Sequence, residues 1–314
     1  MQQQTIETLR QALQESALPF AQQEPLASHT TFQTGGPAVF WCTPKNADQL
    51  RRTLALCRAN GVRTYLLGNG SNTLFADEGY DGAVIDLRGL NFGPTAEPQP
   101  DGSTRLTASA GLTLGRLCAA AQQQGLAGLA FACGIPGTVG GAAIMNAGAY
   151  DGEFKDVAVS VSCLFPDGTV REIPAEEADW SYRHSMMSDK GLVVLGATLQ
   201  LASGNKDDIR AKMDDLAQRR SSKQPLEMAS AGSTFKRPEG YFAGKLIQDS
   251  GMQGHSVGDA QVSTKHAGFV VNTGNASAAD VLQVIRDVQA AVADQFGVTL
   301  ETEVRMWGFA PTNN

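Results

Sequence analysis

The chain has 314 residues, of which 42% are hydrophobic and 18% charged, the composition of a globular protein long enough for about two or three domains. Its formal net charge of −7 argues against general nucleic-acid binding, which selects basic surfaces. No apolar run approaches the ~20 residues of a membrane span. Met1–Glu7 lacks the basic start and apolar centre of a secretory signal, so a cytoplasmic protein without membrane insertion is expected.

Ile6, Leu9 and Leu13 recur at helical spacing and predict an amphipathic N-terminal helix. Asn46 is placed to cap a helix carrying Leu50, Leu54 and Cys57, with Gly61 just past its end. Arg63–Leu67 reads as a short buried strand and Ala83–Leu87 as another, so 1–88 is expected to be a small mixed α/β unit. Pro94, Pro98, Pro100, Asp101 and Gly102 then mark a loop, and Leu106, Ala108 and Ala110 alternate as a strand. Thr113 caps a helix with Leu114, Leu117, Cys118 and Ala121, and a glycine-rich stretch follows. Val157, Val159, Val161 and Cys163 alternate up to the Pro166-Asp167-Gly168 hairpin turn, and Val193–Leu201 closes a second unit, 89–203. A third unit, 204–314, opens with Asn205 capping a helix on which Ile209, Met213 and Leu216 share a face. It continues with a long helix capped by Ser277, with Val281, Ile285, Val288, Val292 and Phe296 at helical intervals, and ends in a strand over Val298–Trp307.

Two glycine clusters carry the strongest chemical signal. Between Ala132 and Tyr150 stand five glycines and a proline among Ile, Val and Met, a pattern unlike a flexible linker. Backbone without Cβ atoms can lie directly against a ligand, and exposed N–H groups can cradle a pyrophosphate. The second cluster, Gly68-Asn69-Gly70-Ser71-Asn72-Thr73, follows a strand at once, a common place for a ligand in α/β folds. It has neither the Gly-Lys-Ser/Thr ending of a nucleotide triphosphate loop nor the third glycine of the dinucleotide fingerprint. A phosphate-bearing cofactor in another fold is the better expectation. Cys42, Cys57, Cys118, Cys133 and Cys163 are odd in number, show no metal spacing and read as reduced, mostly packed thiols. His29, His184, His255 and His266 are scattered, and no metal site is expected. Arg183 beside polar groups, Ser233 in a glycine bend followed by two cations, and Glu303 in a strand are each weak signals by themselves.

Taken in order, these pieces resemble the UDP-N-acetylenolpyruvoylglucosamine reductases. The matching segments are His29-Thr30-Thr31-Phe32 with Gly35-Gly36-Pro37, Leu67 to Asn72, Gly134 to Gly141, Met145 to Tyr150, Tyr182-Arg183-His184-Ser185, Gly232-Ser233-Thr234-Phe235-Lys236 and Leu300 to Val304. The resemblance implies an α+β chain. Two α/β subdomains of the vanillyl-alcohol-oxidase type would bind FAD, followed by an α+β substrate domain whose final strand returns to the FAD-binding core. It implies FAD contacts at Leu67, Gly68, Asn69, Gly70, Ser71, Asn72, Gly111, Gly134, Ile135, Pro136, Gly137, Thr138, Gly140, Gly141, Asn146 and Gly148. NADPH would supply hydride for reduction of UDP-N-acetylglucosamine enolpyruvate to UDP-N-acetylmuramate, a step of peptidoglycan precursor synthesis. Arg183 would stabilise developing negative charge, Ser233 would donate a proton and Glu303 a hydrogen bond. Tyr182, Lys236, Arg237 and Lys245 would meet the substrate, and the chain would be monomeric. The family more often has Asn where Arg237 stands here. The short segment between Arg183 and Val193 resembles the compact second type, which lacks a longer tyrosine-bearing insertion. A different oxidase of the same fold, or a sugar-nucleotide sensor without chemistry, would not need the Arg183, Ser233 and Glu303 trio.

Overall fold

The computed structural model describes residues 1–309, and the last part of the expected third unit, 310–314, lies outside them. The described residues divide into two compact units, each built from separate stretches of chain. The first comprises Met1–Phe20, Cys42–Asn69 and Val84–Arg220. The second comprises Ala21–Trp41, Gly70–Ala83 and the described residues from Ser221 on.

In the first unit an antiparallel sheet takes the order Val170–Pro174, Ala158–Leu164, Val193–Ser203, Thr104–Ser109 and Thr95–Pro98, with Leu126–Ala127 added to the end of Val193–Ser203. The register pairs Leu106 with Leu199 and Ala108 with Ala197, so the period-two apolar positions read from the sequence share one face. That face is buried with Leu114, Leu117, Cys118 and Ala121 of the helix Leu114–Gln123. Complete burial of each leucine stabilises the fold by about 1.5–3 kcal/mol. The caps are as expected: Asn46 accepts from Gln49 N, Thr113 from Arg116 N, and Asn205 from Asp207 N and Asp208 N.

Two expectations change here. Thr95–Pro98, read as loop, is a strand; it lies at the sheet edge, where proline's missing N–H breaks no ladder. The glycine-rich stretch contains a helix, Val139–Met145, capped by Thr138. Glycine in a helix costs about 1 kcal/mol relative to alanine. Burial of Val139, Ala142 and Ala143 outweighs it, and Gly140 lets the helix lie against Ala110.

In the second unit an antiparallel sheet takes the order Ala229–Ser233, Phe269–Asn272, Ala260–Val262 and Ser256–Val257. The helix Ala278–Phe296 buries Val281, Val284, Ile285, Val288 and Val292 in the same core as Val262 and Val270. Its start is held by the Ser277–Asp280 capping box, and the Asp77 carboxylate accepts from Ala278 N and Ala279 N. The C-terminal strand is shorter than expected: only Arg305–Trp307 is extended, pairing in parallel with Thr73–Phe75. The preceding segment, with Leu300 and Val304 buried, is held by single backbone bonds and the isolated Phe235–Thr302 bridge rather than by a continuous ladder. Among the described residues no helix is long and apolar enough to cross a membrane.

Candidate active site

In the first unit the two glycine clusters meet. Asn69 Nδ2 donates to Pro136 O at 2.7 Å. A Cβ added at Gly68 would stand 2.6 Å from Thr138 Oγ1, so no side chain fits between the two turns. Gly68, Asn69, Pro136, Gly137 and Thr138 therefore form one backbone-lined surface assembled from segments 67 residues apart. Thr138 Oγ1 also accepts from Gly141 N at 3.3 Å, which fixes the first turn of the helix behind that surface. Gly70, Ser71 and Asn72 belong to the second unit. There Gly70 adopts φ +62, and a Cβ would lie 2.0 Å from His29 O, so only glycine lets the turn close.

Several residues expected to contact the cofactor also have backbone partners within the protein. Gly111 N donates to Leu90 O and Gly140 N to Ala110 O, and Gly148 pairs with Glu153 in a two-stranded ladder. Ile135 N donates to Ala132 O while its side chain packs on the core, and Leu67 is buried. Asn146 is fully buried, and both ends of its amide are committed. Its Nδ2 donates to Glu153 Oε2 at 2.9 Å and Ser181 O at 3.2 Å, and its Oδ1 accepts from Lys155 N at 3.0 Å. These bonds fix the backbone of the two glycine turns and of the Arg183 turn.

Asn146 leads to Arg183. The turn Ser181–His184 closes through reciprocal backbone bonds of 3.3 Å, and Arg183 at its tip has φ +56, unfavourable for a residue with a Cβ. Such strain persists only where the surroundings over-determine it. Here Ser185 Oγ donates to Ile144 O and Trp180 Nε1 to Ala143 O, each at 2.7 Å, satisfying the last carbonyls of the Val139–Met145 helix. The Arg183 guanidinium lies 5.1 Å from the Tyr182 ring centroid. Glu153, held below the usual carboxylate range chiefly by its hydrogen bond from Lys155, also feels Arg183. The short glycine helix thus carries the Pro136–Thr138 turn at one end and the Arg183 turn at the other.

In the second unit Ser233 and Glu303 lie on neighbouring segments. Glu303 N donates to Thr234 O at 2.8 Å, Lys236 N donates to Glu301 O at 2.9 Å, and Phe235 and Thr302 form an isolated antiparallel bridge. Thr234, not anticipated from sequence, is the hub: fully buried, it donates N–H to Gly268 O and accepts from Val270 N through Oγ1. Ser233 beside it is exposed, and Gly232 adopts φ +76 to make the bend. Asn72 Nδ2 donates to Glu303 O at 3.1 Å, tying the glycine turn to the acid's segment. Lys236 pairs with Glu301 at 3.0 Å, Lys245 with Asp249, and Arg237 lies 4.0 Å over the Phe242 ring.

Comparison with known proteins matches this geometry to a family. The FAD binding domain family matches residues 38–174, and the UDP-N-acetylenolpyruvoylglucosamine reductase C-terminal domain matches residues 224–307. A UDP-N-acetylenolpyruvoylglucosamine reductase of Agathobacter rectalis is 49% identical over 93% of this chain and 95% of its own length. One from Clostridium perfringens is 50% identical over 90% and 91%. The chain belongs to the UDP-N-acetylenolpyruvoylglucosamine reductase family. The crystal structure of the reductase from Thermus caldophilus superposes with a TM-score of 0.76 at 34% identity, covering 92% of this chain and 98% of that one. As a member of this reductase family, the chain is an FAD-dependent oxidoreductase of cell-wall precursor synthesis with the expected FAD-binding fold. The structure passes a direct test of fit. The Gly68–Asn69 and Pro136–Thr138 turns pack closely, and glycine at 68 and 137 leaves backbone there without its own side-chain cover, which suits a dinucleotide pyrophosphate.

Proposed function

We propose that this chain reduces the enolpyruvyl ether of UDP-N-acetylglucosamine to the lactyl ether of UDP-N-acetylmuramate, with NADPH as the source of hydride. The observation that carries the reading is the pairing of Ser233–Lys236 with Glu301–Glu303 in a chain of this family. FAD, when bound, accepts hydride from the nicotinamide and passes it to the substrate. Gly68, Asn69, Pro136, Gly137 and Thr138 hold its pyrophosphate side, and Gly70, Ser71 and Asn72 are read from the resemblance as further cofactor contacts. The expected lobes 1–88 and 89–203 are read as the FAD-binding halves and 204–314 as the substrate domain.

The remaining chemistry belongs to the side chains. Hydride addition at the terminal methylene carbon leaves negative charge on the neighbouring carbon, delocalised into its carboxylate. Arg183 stabilises that charge, and fixed donors of this kind are worth about 3 kcal/mol each. Glu303 donates a hydrogen bond to the same carboxylate in its protonated form. Ser233 protonates the carbon, completing addition of one hydride and one proton across the double bond. Tyr182, Lys236, Arg237 and Lys245 bind the sugar nucleotide; the Glu301 and Asp249 carboxylates keep two of these cations in place until a diphosphate competes for them. We read the protein as a cytoplasmic monomer.

An absorption spectrum tests the proposal. Purified protein should show a flavin band that bleaches with NADPH and returns when UDP-N-acetylglucosamine enolpyruvate is added under anaerobic conditions. A band that bleaches but never returns with this substrate would refute the assignment.

A further inference from the structure

The strand Ala229–Ser233 does not run evenly beside Phe269–Asn272. Ser230 faces Val271 and Ser233 faces Phe269, so Ala231 and Gly232 together oppose Val270. An extra residue of this kind is a bulge, and a slip of one residue reverses the side to which the following side chains point. A continuous ladder would put Ser233 on the same face as Ala231, which is buried in the core of the second unit. With the bulge, Ser233 is exposed and Thr234 takes the buried side. Gly232 absorbs the change of direction at φ +76. Val270, opposite the extra residue, is buried, so its N–H needs a partner within the protein. That partner is a side chain: Val270 N donates to Thr234 Oγ1 at 3.0 Å. A hydroxyl therefore stands where an even ladder would offer a carbonyl. The backbone of Thr234 is held as well, its N–H donating to Gly268 O at 2.9 Å and its carbonyl accepting from Glu303 N at 2.8 Å.

We infer that the Thr234 hydroxyl is the positioning group for Ser233: it satisfies Val270 N across the bulge, and the bulge turns Ser233 out of the core beside the segment that carries Glu303. The inference rests on the function proposed above, in which Ser233 delivers a proton to the substrate. Thr234 is fully buried and acts through Ser233 rather than on a ligand. Valine at this position would keep the shape and leave Val270 N as a buried donor without an acceptor, which favours any rearrangement that returns the strand to an even register. Serine would keep the acceptor.

The test compares Thr234→Val and Thr234→Ser with wild type in stopped flow, following flavin reduction by NADPH and reoxidation by UDP-N-acetylglucosamine enolpyruvate separately. Thr234→Val should leave reduction within about twofold of wild type and slow reoxidation by about 10–10²-fold, the effect of a small displacement of a reacting group. Thr234→Ser should recover reoxidation to within about threefold of wild type. Added to Ser233→Ala, Thr234→Val should slow reoxidation by no more than about a further twofold, because the group it places is already gone. Thr234→Cys, whose sulfur accepts only weakly, takes the place of Thr234→Val if valine prevents folding. Reoxidation at the wild-type rate in Thr234→Val would overturn the inference. So would equal losses in Thr234→Val and Thr234→Ser, equal slowing of both half-reactions, or full additivity with Ser233→Ala. Failure of this substrate to reoxidise the wild-type flavin would instead remove the proposed function, and this inference with it.

Discussion

Asn146 offers the sharpest quantitative test of how the Arg183 turn is built. Asn146→Ala removes one hydrogen bond to a carboxylate, worth about 1.5–3 kcal/mol, and two to neutral backbone, worth about 1 kcal/mol each. The backbone φ of +42 at this position adds about 1 kcal/mol for a residue with a Cβ and no local side-chain bond. Glu153 keeps its 2.8 Å partner Lys155, so only part of the carboxylate contribution is forfeited. The expected net loss is therefore about 4 kcal/mol. For a unit of this size each kcal/mol lowers the melting temperature by about 2–4 °C, so circular dichroism should record a drop of roughly 10 °C. Asn146→Gly loses the same side-chain bonds but not the positive-φ penalty, and should melt above Asn146→Ala. In both variants flavin reduction by NADPH should persist while reoxidation by substrate slows, because Arg183 loses its support. Melting temperatures of both variants within about 2 °C of wild type, with reoxidation unchanged, would refute the view that this amide holds the turn.

Three further outcomes are expected. Ser233→Ala should leave flavin reduction by NADPH intact and slow reoxidation by about 10²–10⁴-fold in stopped flow, and Glu303→Gln, which keeps a neutral donor, should lose less than Glu303→Ala; equal losses at position 303 would exclude the donor role. Burial pushes the Cys57, Cys118 and Cys163 thiols up to about 12 and Cys42 higher still, while Cys133 is half-buried and raised less. A thiol reagent applied to native protein near neutral pH should therefore modify Cys133 first, and the others only with unfolding. The hydrogen bond to Asp189 raises the pKa of exposed His184 above the ordinary histidine value. A raised folded-state pKa means the stabilisation is complete below the unfolded value, about 6.5, and fades as pH rises through the folded one. His184→Asn should abolish that small downward step in the melting temperature between about pH 6 and 8.

Much of the fold was legible because its elements announce themselves locally. Asn46, Thr113 and Ser277 each have a side-chain oxygen one residue before an apolar helical face, and each caps that helix. Of the alternation from Val157 to Cys163, Val161 and Cys163 are buried in the core of the first unit, while irregularities after Ala158 and Ser162 shift the pairing with Val193–Ser203. The end of the chain was not legible for the converse reason. Leu300–Val304 is held by Thr234, Phe235 and Lys236, some 65 residues earlier, and no local pattern encodes so distant a partner. The same limit applies to Thr234, an unremarkable residue in sequence that becomes the buried link between the proposed acid and proton donor.

The glycine-rich stretch shows where chemistry and architecture become indistinguishable in sequence. A missing Cβ reads the same whether it admits a ligand, as proposed for Gly137, or a neighbouring strand, as at Gly140 against Ala110. Gly140 has the architectural role, and the segment joins it to the turn proposed to face the cofactor. The turn at Pro136–Thr138 starts the Val139–Met145 helix, and the last carbonyls of that helix accept from Trp180 and Ser185, which bracket Arg183. A seven-residue helix is too short to bend without moving both ends. Its close approach to Ala110 therefore sets the spacing between the turn proposed to face the cofactor and Arg183, the proposed charge stabiliser. Gly140 permits that close approach, so Gly140→Ala should disturb flavin binding and the Arg183-dependent step together, whereas a change confined to one end of the helix should separate them.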